Sequence, residues 1–129
     1  MMTKKRRRLL ELLQESVQPL SAQQVYEQME ESLDMATVYR GLKYLEEAGE
    51  ISSFLLDCSE RGVERYYSQS SSCHRHFLHC VSCHSFTSLN ECPLGSLEKI
   101  EKETGFRVEE HYLTLKGTCE KCQINVRGK

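Results

Sequence analysis

The chain has 129 residues, 39% of them hydrophobic, and a formal net charge of −2 at pH 7. That length allows one domain or two small ones, and the apolar content is thin for two cores without a metal or a partner copy. No apolar run approaches membrane-spanning length, and the charged start after Met1-Met2-Thr3 has no apolar core of signal-peptide length, so the expectation is a cytoplasmic protein with no membrane partner.

A negative balance argues against bulk attraction to nucleic acid, but distribution matters more than the sum. Lys4, Lys5, Arg6, Arg7 and Arg8 are consecutive, whereas acids dominate later. The first apolar stretch, Leu9, Leu10, Leu12 and Leu13 with Val17 a turn beyond, predicts a short amphipathic helix that Pro19 ends. Ser21 with Gln24 three residues on reads as a capping box for a second helix, along which Ala22, Val25, Tyr26 and Met29 repeat at helical spacing. Ser32 or Asp34 can cap a third helix, with Met35, Val38, Leu42 and Leu45 as its buried stripe and Gly49 as its stop.

Two strands should follow, Ile51 to Leu56 and Val63 to Tyr67, joined by turn residues from Asp57 to Gly62. Three short helices and a hairpin suggest a winged helix-turn-helix, whose third helix enters the major groove. The non-core face of that helix carries Thr37, Tyr39, Arg40 and Lys43. Thr37 can donate to phosphate, Arg40 can reach a guanine edge or a phosphate, and Tyr39 can pack on sugar or a thymine methyl. Arg6, Arg7 and Arg8 would add phosphate contacts. Taken alone, the face could equally be a solvated surface; the basic start and the hairpin favour DNA.

Ser68 to Ser72 has no apolar residue and reads as a linker. The expected domains are therefore 1–68 and 69–129. The second half opens on a dense set of ligand-capable side chains, with His74 and His76 on one face if the segment is extended. Ser85 to Leu89 suits a strand. Pro93 suits the first turn of a helix reaching about Thr104 with Gly105 as its stop, and Phe106 to Glu110 and Tyr112 to Leu115 read as strands.

Cys80 with Cys83, and Cys119 with Cys122, are two Cys-x-x-Cys pairs. Each pair aims two thiolates at one point, and together they form the ligand set of a closed structural zinc site. Two disulfides would need an oxidising compartment, which nothing else here suggests. The fold class expected is α+β: a winged-helix domain followed by a small α/β domain with a four-cysteine zinc site. So narrow a sheet should pair with a second copy.

These residues resemble the ferric uptake regulator (Fur) family over nearly the whole chain. The resemblance rests on Leu20-Ser21-Ala22, on Ala36-Thr37-Val38-Tyr39-Arg40 with Leu42 and Leu45, and on Gly49 and Arg65-Tyr66. It continues through His-x-His before Cys-x-x-Cys, Gly105-Phe106 with His111, and Gly117-x-Cys119-x-x-Cys122. It implies a homodimeric, metal-dependent repressor that binds a double-stranded DNA operator through Tyr39 and Arg40. It also implies structural zinc on the four cysteines and a regulatory divalent metal, Zn2+ or Fe2+/Mn2+, between the domains. By motif match His74, His76 and His111 are regulatory ligands, an acid of the family pattern falls at Glu91, and Cys73 stands where another histidine is common. Pro19 replaces a frequent histidine, Arg75 replaces a frequent acid, and one extra residue separates His76 from Cys80. A site mixing sulfur and imidazole leans toward zinc over ferrous iron. Where the family pattern is broken, the regulatory ligand set stays open among Cys58, Glu64, Cys73, His79, Glu91 and Cys92.

Two other readings compete. A zinc enzyme of nucleobase-deaminase type would need His-x-Glu followed by Pro-Cys-x-x-Cys, whereas here the order is Cys92-Pro93 and His-x-Glu is absent. Four thiolates would also leave no position for an activated water, so an enzyme is not expected. A peroxide- or redox-responsive repressor, in which oxidised thiolates release metal, is compatible with the first reading.

Overall fold

The computed structural model describes residues 3–29, 33–58, 60, 62–70, 76–89 and 92–127. Two compact units divide at Ser72/Cys73. Among the described residues no helix is long and apolar enough to cross a membrane.

The first unit contains α1 (Lys4–Glu15), β1 (Leu20–Ser21), α2 (Ala22–Gln28), α3 (Met35–Glu47), β2 (Ile51–Cys58) and β3 (Gly62–Gln69). Local chemistry sets the helix ends. Ser21 accepts from the backbone of Gln24 while the Gln24 side chain accepts from the backbone of Ser21, so the capping box is complete. Asp34 accepts from Thr37 N–H at 2.8 Å and starts α3. At its other end Gly49 turns to φ +78, and Gly49 and Glu50 donate back to Glu46 and Leu45, a Schellman closure that relieves the last carbonyls.

Leu9 and Leu13 of α1, Val25 of α2, Val38, Leu42 and Leu45 of α3, and Ile51 and Tyr67 of the sheet form the core. Gly41 is what lets α1 and α3 approach: a Cβ there would overlap Leu9 Cδ1. Val17 is not part of this core; it falls beyond the end of α1 and is exposed. The sheet order is β1-β3-β2, all antiparallel, with Ile51 opposite Gln69 and Cys58 opposite Gly62. The hairpin thus extends further than expected, and Ser68 and Gln69 are strand residues rather than linker. Their backbone groups pair with Ser52 and Ile51, which outweighs a polar composition.

The second unit holds β4 (His76–Cys80), β5 (Phe86–Leu89), α4 (Glu98–Thr104), β6 (Thr114–Gly117) and α5 (Glu120–Arg127). β4 is central, antiparallel to β5 and parallel to β6. Three expectations need correction. The helix begins at Glu98, not Pro93, because Cys92–Gly95 is a turn: Gly95 sits at φ +62 and donates to the Cys92 carbonyl. Among the described residues only Thr114–Gly117 forms a strand after α4, since β4 has one edge left to pair. α5 was not expected; it starts at the second cysteine pair and carries Cys122.

Candidate metal centres and nucleic-acid interface

The β4/β6 register sets Cys80 opposite Gly117, which brings Cys119, two residues on, beside the end of β4. Cys119 N–H donates to Cys80 Sγ at 3.3 Å, and Cys83 N–H does so at 3.5 Å. All four sulfurs lie within 4.8 Å of one another, with Cys80–Cys122 at 3.7 Å and Cys83–Cys119 at 3.8 Å. Four sulfurs about 2.3 Å from a central ion in a tetrahedron are about 3.8 Å apart, whereas a disulfide needs about 2.05 Å. The cluster therefore has the dimensions of a zinc site.

Its electrostatics agree. Backbone N–H groups of Cys119 and Cys83 pull the Cys80 thiol down to about 5. The hydroxyl and N–H of Ser85 lower Cys83. Cys122 goes the other way, pushed up to about 12 by its hydrogen bonds to the Cys119 and Cys80 sulfurs. One thiolate is ready at neutral pH, another resists ionising beside its neighbours, and a divalent ion supplies the charge that lets all four ionise together.

A second cluster joins His76, Cys92 and His111. His76, buried on β4, hydrogen-bonds through Nδ1 to the Leu113 carbonyl at 3.1 Å. A carbonyl only accepts, so Nδ1 carries the proton and Nε2 presents a lone pair. That nitrogen faces His111 Nε2 at 3.0 Å, and His111 Nε2 faces Cys92 Sγ at 3.2 Å. Tetrahedral edges would be about 3.3 Å for N–N and about 3.6 Å for N–S, so a small spreading of the three donors accommodates zinc. A backbone carbonyl orienting the non-ligating ring nitrogen is the usual support of a metal-binding histidine.

The structure thus brings together two of the expected regulatory ligands, His76 and His111. Cys73, His74 and Glu91 lie outside the described residues. Cys92 is one of several open candidates in the sequence, because a single cysteine before proline has no spacing signal to single it out. The turn closed by Gly95 is what brings it to His111.

On α3, Tyr39, Arg40 and Lys43 are exposed on the face opposite Val38, Leu42 and Leu45. Thr37 is more than a free donor. Its hydroxyl accepts from Arg40 Nη2 at 3.3 Å and hydrogen-bonds the Asp34 carboxyl, holding Asp34 below its ordinary pKa. The basic run is helical, not an extended arm: Thr3 caps it, and Arg6 lies over the Tyr44 ring at 4.0 Å while Arg8 pairs with Glu11 at 3.5 Å. Five cations at a helix N-terminus oppose the macrodipole. An anion such as DNA phosphate placed there would be attracted by both.

The model of the ferric uptake regulator family matches residues 1–116. The chain belongs to the ferric uptake regulator family. The Fur family comprises metal-responsive transcriptional regulators rather than enzymes, so this chain is a Fur-family metal-responsive regulator. It is 32% identical to the ferric uptake regulation protein of Neisseria gonorrhoeae over 129 residues, covering 96% of this chain and 85% of the relative. The ferric uptake regulation protein of Bacillus subtilis (strain 168) is 31% identical, with 86% and 76% covered. Among solved structures, the Vibrio cholerae ferric uptake regulator, described for rearrangement of its DNA-binding domains, superposes with TM-score 0.73 at 27% identity, covering 92% of each chain. The Fur fold of two mixed helix-and-strand units is therefore shared.

Proposed function

We propose that this Fur-family chain is a cytoplasmic, homodimeric repressor of genes for metal uptake or homeostasis, with zinc favoured as its effector. In this reading the first unit, through Ser72, is the winged-helix DNA-binding domain and the second, from Cys73, the dimerisation and sensing domain. Cys80, Cys83, Cys119 and Cys122 hold structural zinc. His76, His111 and Cys92 hold the exchangeable ion, with Cys73, His74 and Glu91 as further candidates from the family pattern.

The observation that carries the effector reading is the convergence of His76 Nε2, His111 Nε2 and Cys92 Sγ. A thiolate with two imidazoles is a borderline-soft donor set, which suits zinc better than the oxygen-rich shells suited to manganese. Dimerisation is supported by exposed apolar surface in the second unit. Phe106 is 72% exposed and Tyr112 82%, and no residue of α4 is buried. A three-stranded sheet with an unburied helix gains a core by meeting a copy of itself.

DNA contact is supported by the exposed row Tyr39, Arg40 and Lys43 and by the cationic start of α1. Metal would raise the population of dimers whose two α3 helices match the half-sites of a palindromic operator. The test is fluorescence anisotropy on DNA upstream of metal-transport genes, titrated with Zn2+ after chelation. Binding should appear with zinc and vanish with chelator. Equal affinity for operator and random DNA, indifferent to metal, contradicts the reading.

A further inference from the structure

The first cysteine pair is flanked on both sides by histidine, so the run reads His79-Cys80-Val81-Ser82-Cys83-His84. Neither histidine belongs to the four-cysteine cluster or to the His76 cluster. His79 is 1% exposed, unusual for an imidazole, and its ring packs 4.6 Å from that of Phe86. The His84 ring lies 5.6 Å from that of His79, and the two residues offer nitrogens within 4.8 Å of one another.

The backbone at His84 adds an independent observation. His84 has φ +65, the one positive φ outside glycine among the described residues. Glycine or asparagine is more usual in that conformation, and strained backbone gathers at binding sites. The turn that imposes it is held by His84 N–H on the Cys80 carbonyl at 2.8 Å and Cys80 N–H on the Ser85 carbonyl at 3.0 Å. It folds the His84 ring back toward His79, in a place where glycine would be easier.

We propose that His79 and His84, which flank the cysteine turn, form a further metal site taking a borderline divalent ion such as Zn2+ or Ni2+. Two imidazoles bound to one ion at about 2.0–2.1 Å have ring centroids about 5 Å apart, close to the separation here. His79 is fixed by Phe86, and the partly exposed His84 provides the way in. With two protein ligands the site is weaker than the four-thiolate one and fills after it. Because both ligands are anchored to the cysteine turn, the site exists only when the turn is folded.

The proposal stands on these residues alone and does not depend on the effector site. The test is equilibrium dialysis against Zn2+ in a His76→Ala/His111→Ala background, with metal measured per chain. That background should hold two zinc ions. Adding His84→Asn, which suits a positive φ, should remove one and raise its dissociation constant at least about tenfold. The zinc on the four cysteines and the circular dichroism spectrum should be unchanged. His79→Gln should give the same loss. A background protein that holds a single zinc, a second ion that survives both substitutions, or loss of the four-thiolate zinc in His84→Asn would each overturn the site.

Discussion

The Leu113 carbonyl accepts the Nδ1–H of His76 at 3.1 Å while the opposite ring nitrogen meets His111 Nε2 at 3.0 Å. Leu113 immediately precedes β6, and β6 runs parallel to the strand that carries His76. The strand pairing that builds the small sheet also fixes the tautomer of a candidate metal ligand.

Replacing the sulfur of this cluster tests its donor set. Cys92→Ser should weaken zinc binding at the exchangeable site by about tenfold or more and narrow its preference for zinc over manganese. The tightly held zinc and the dimer should persist. Competition titration with a chromophoric chelator reads both sites separately. Unchanged exchangeable zinc affinity would remove Cys92 from the ligand set.

Structural zinc is coupled to folding of the second unit, since a closed four-sulfur site is absent in the unfolded chain. Cys119→Ser should lose that zinc and dimerisation. The helices of the first unit, whose core draws on residues 9–67, should remain by circular dichroism. A dimeric Cys119→Ser protein that keeps its zinc contradicts the four-cysteine assignment.

Gly41 and Leu9 set the distance between α1 and α3. In Gly41→Ala the new methyl would meet Leu9 Cδ1. Overpacking of about 1–3 kcal/mol should then outweigh the gain of about 1 kcal/mol in helix propensity. Urea denaturation should show net destabilisation. Leu9→Ala combined with Gly41→Ala should be less damaging than the sum of the two, because the methyl then occupies vacated space. Strict additivity would mean that the contact does not limit the packing.

The Asp34 cap predicts an acid dependence. Its pKa is lowered first by the Thr37 hydroxyl and N–H, then by the nearby charges of Arg40 and Lys5. A depressed native pKa contributes stability that is complete above the ordinary value of 3.8 and is lost as pH falls through the lower native one. Asp34→Asn keeps an acceptor for Thr37 N–H. It should therefore flatten the stability of the first unit below that pH while changing little at neutrality. Parallel profiles for the two proteins in thermal melts would dismiss the cap as the titrating group.

The two cationic groups should fail differently. Arg40→Ala should remove an interaction of about 1–3 kcal/mol and relax sequence preference. Replacing Lys4, Lys5 and Arg7 with Ala spares Arg6, which also packs on Tyr44. It should weaken all sequences alike and reduce the salt slope by about 0.9 for each phosphate no longer neutralised. A salt slope that does not change would mean that the start of α1 stays away from DNA.

Much of the first unit was legible because its signals are local. The Ser21–Gln24 box, the Asp34 cap and the Gly49 stop each act within a few residues, and the apolar stripe of α3 repeats at one period. The paired cysteines were legible because their spacing encodes a geometry. Cys92 was not, since its role depends on a turn at Gly95 and on a histidine 19 residues away. The strand expected at Phe106 to Glu110 failed for a related reason. Alternating character shows that a segment can pair, but the available edge of β4 goes to Thr114–Gly117. Arg6 likewise reads as a free cation until Tyr44 is placed beneath it.

We propose that zinc at His76, Cys92 and His111 governs operator binding. The most direct measurement is anisotropy of labelled operator DNA against free Zn2+, for wild type and His76→Ala, each carrying its tightly held zinc. The wild type should bind at low free zinc. His76→Ala should stay folded and dimeric yet need at least about tenfold more zinc to reach half-saturation. Superimposable curves for the two proteins would contradict control through this site.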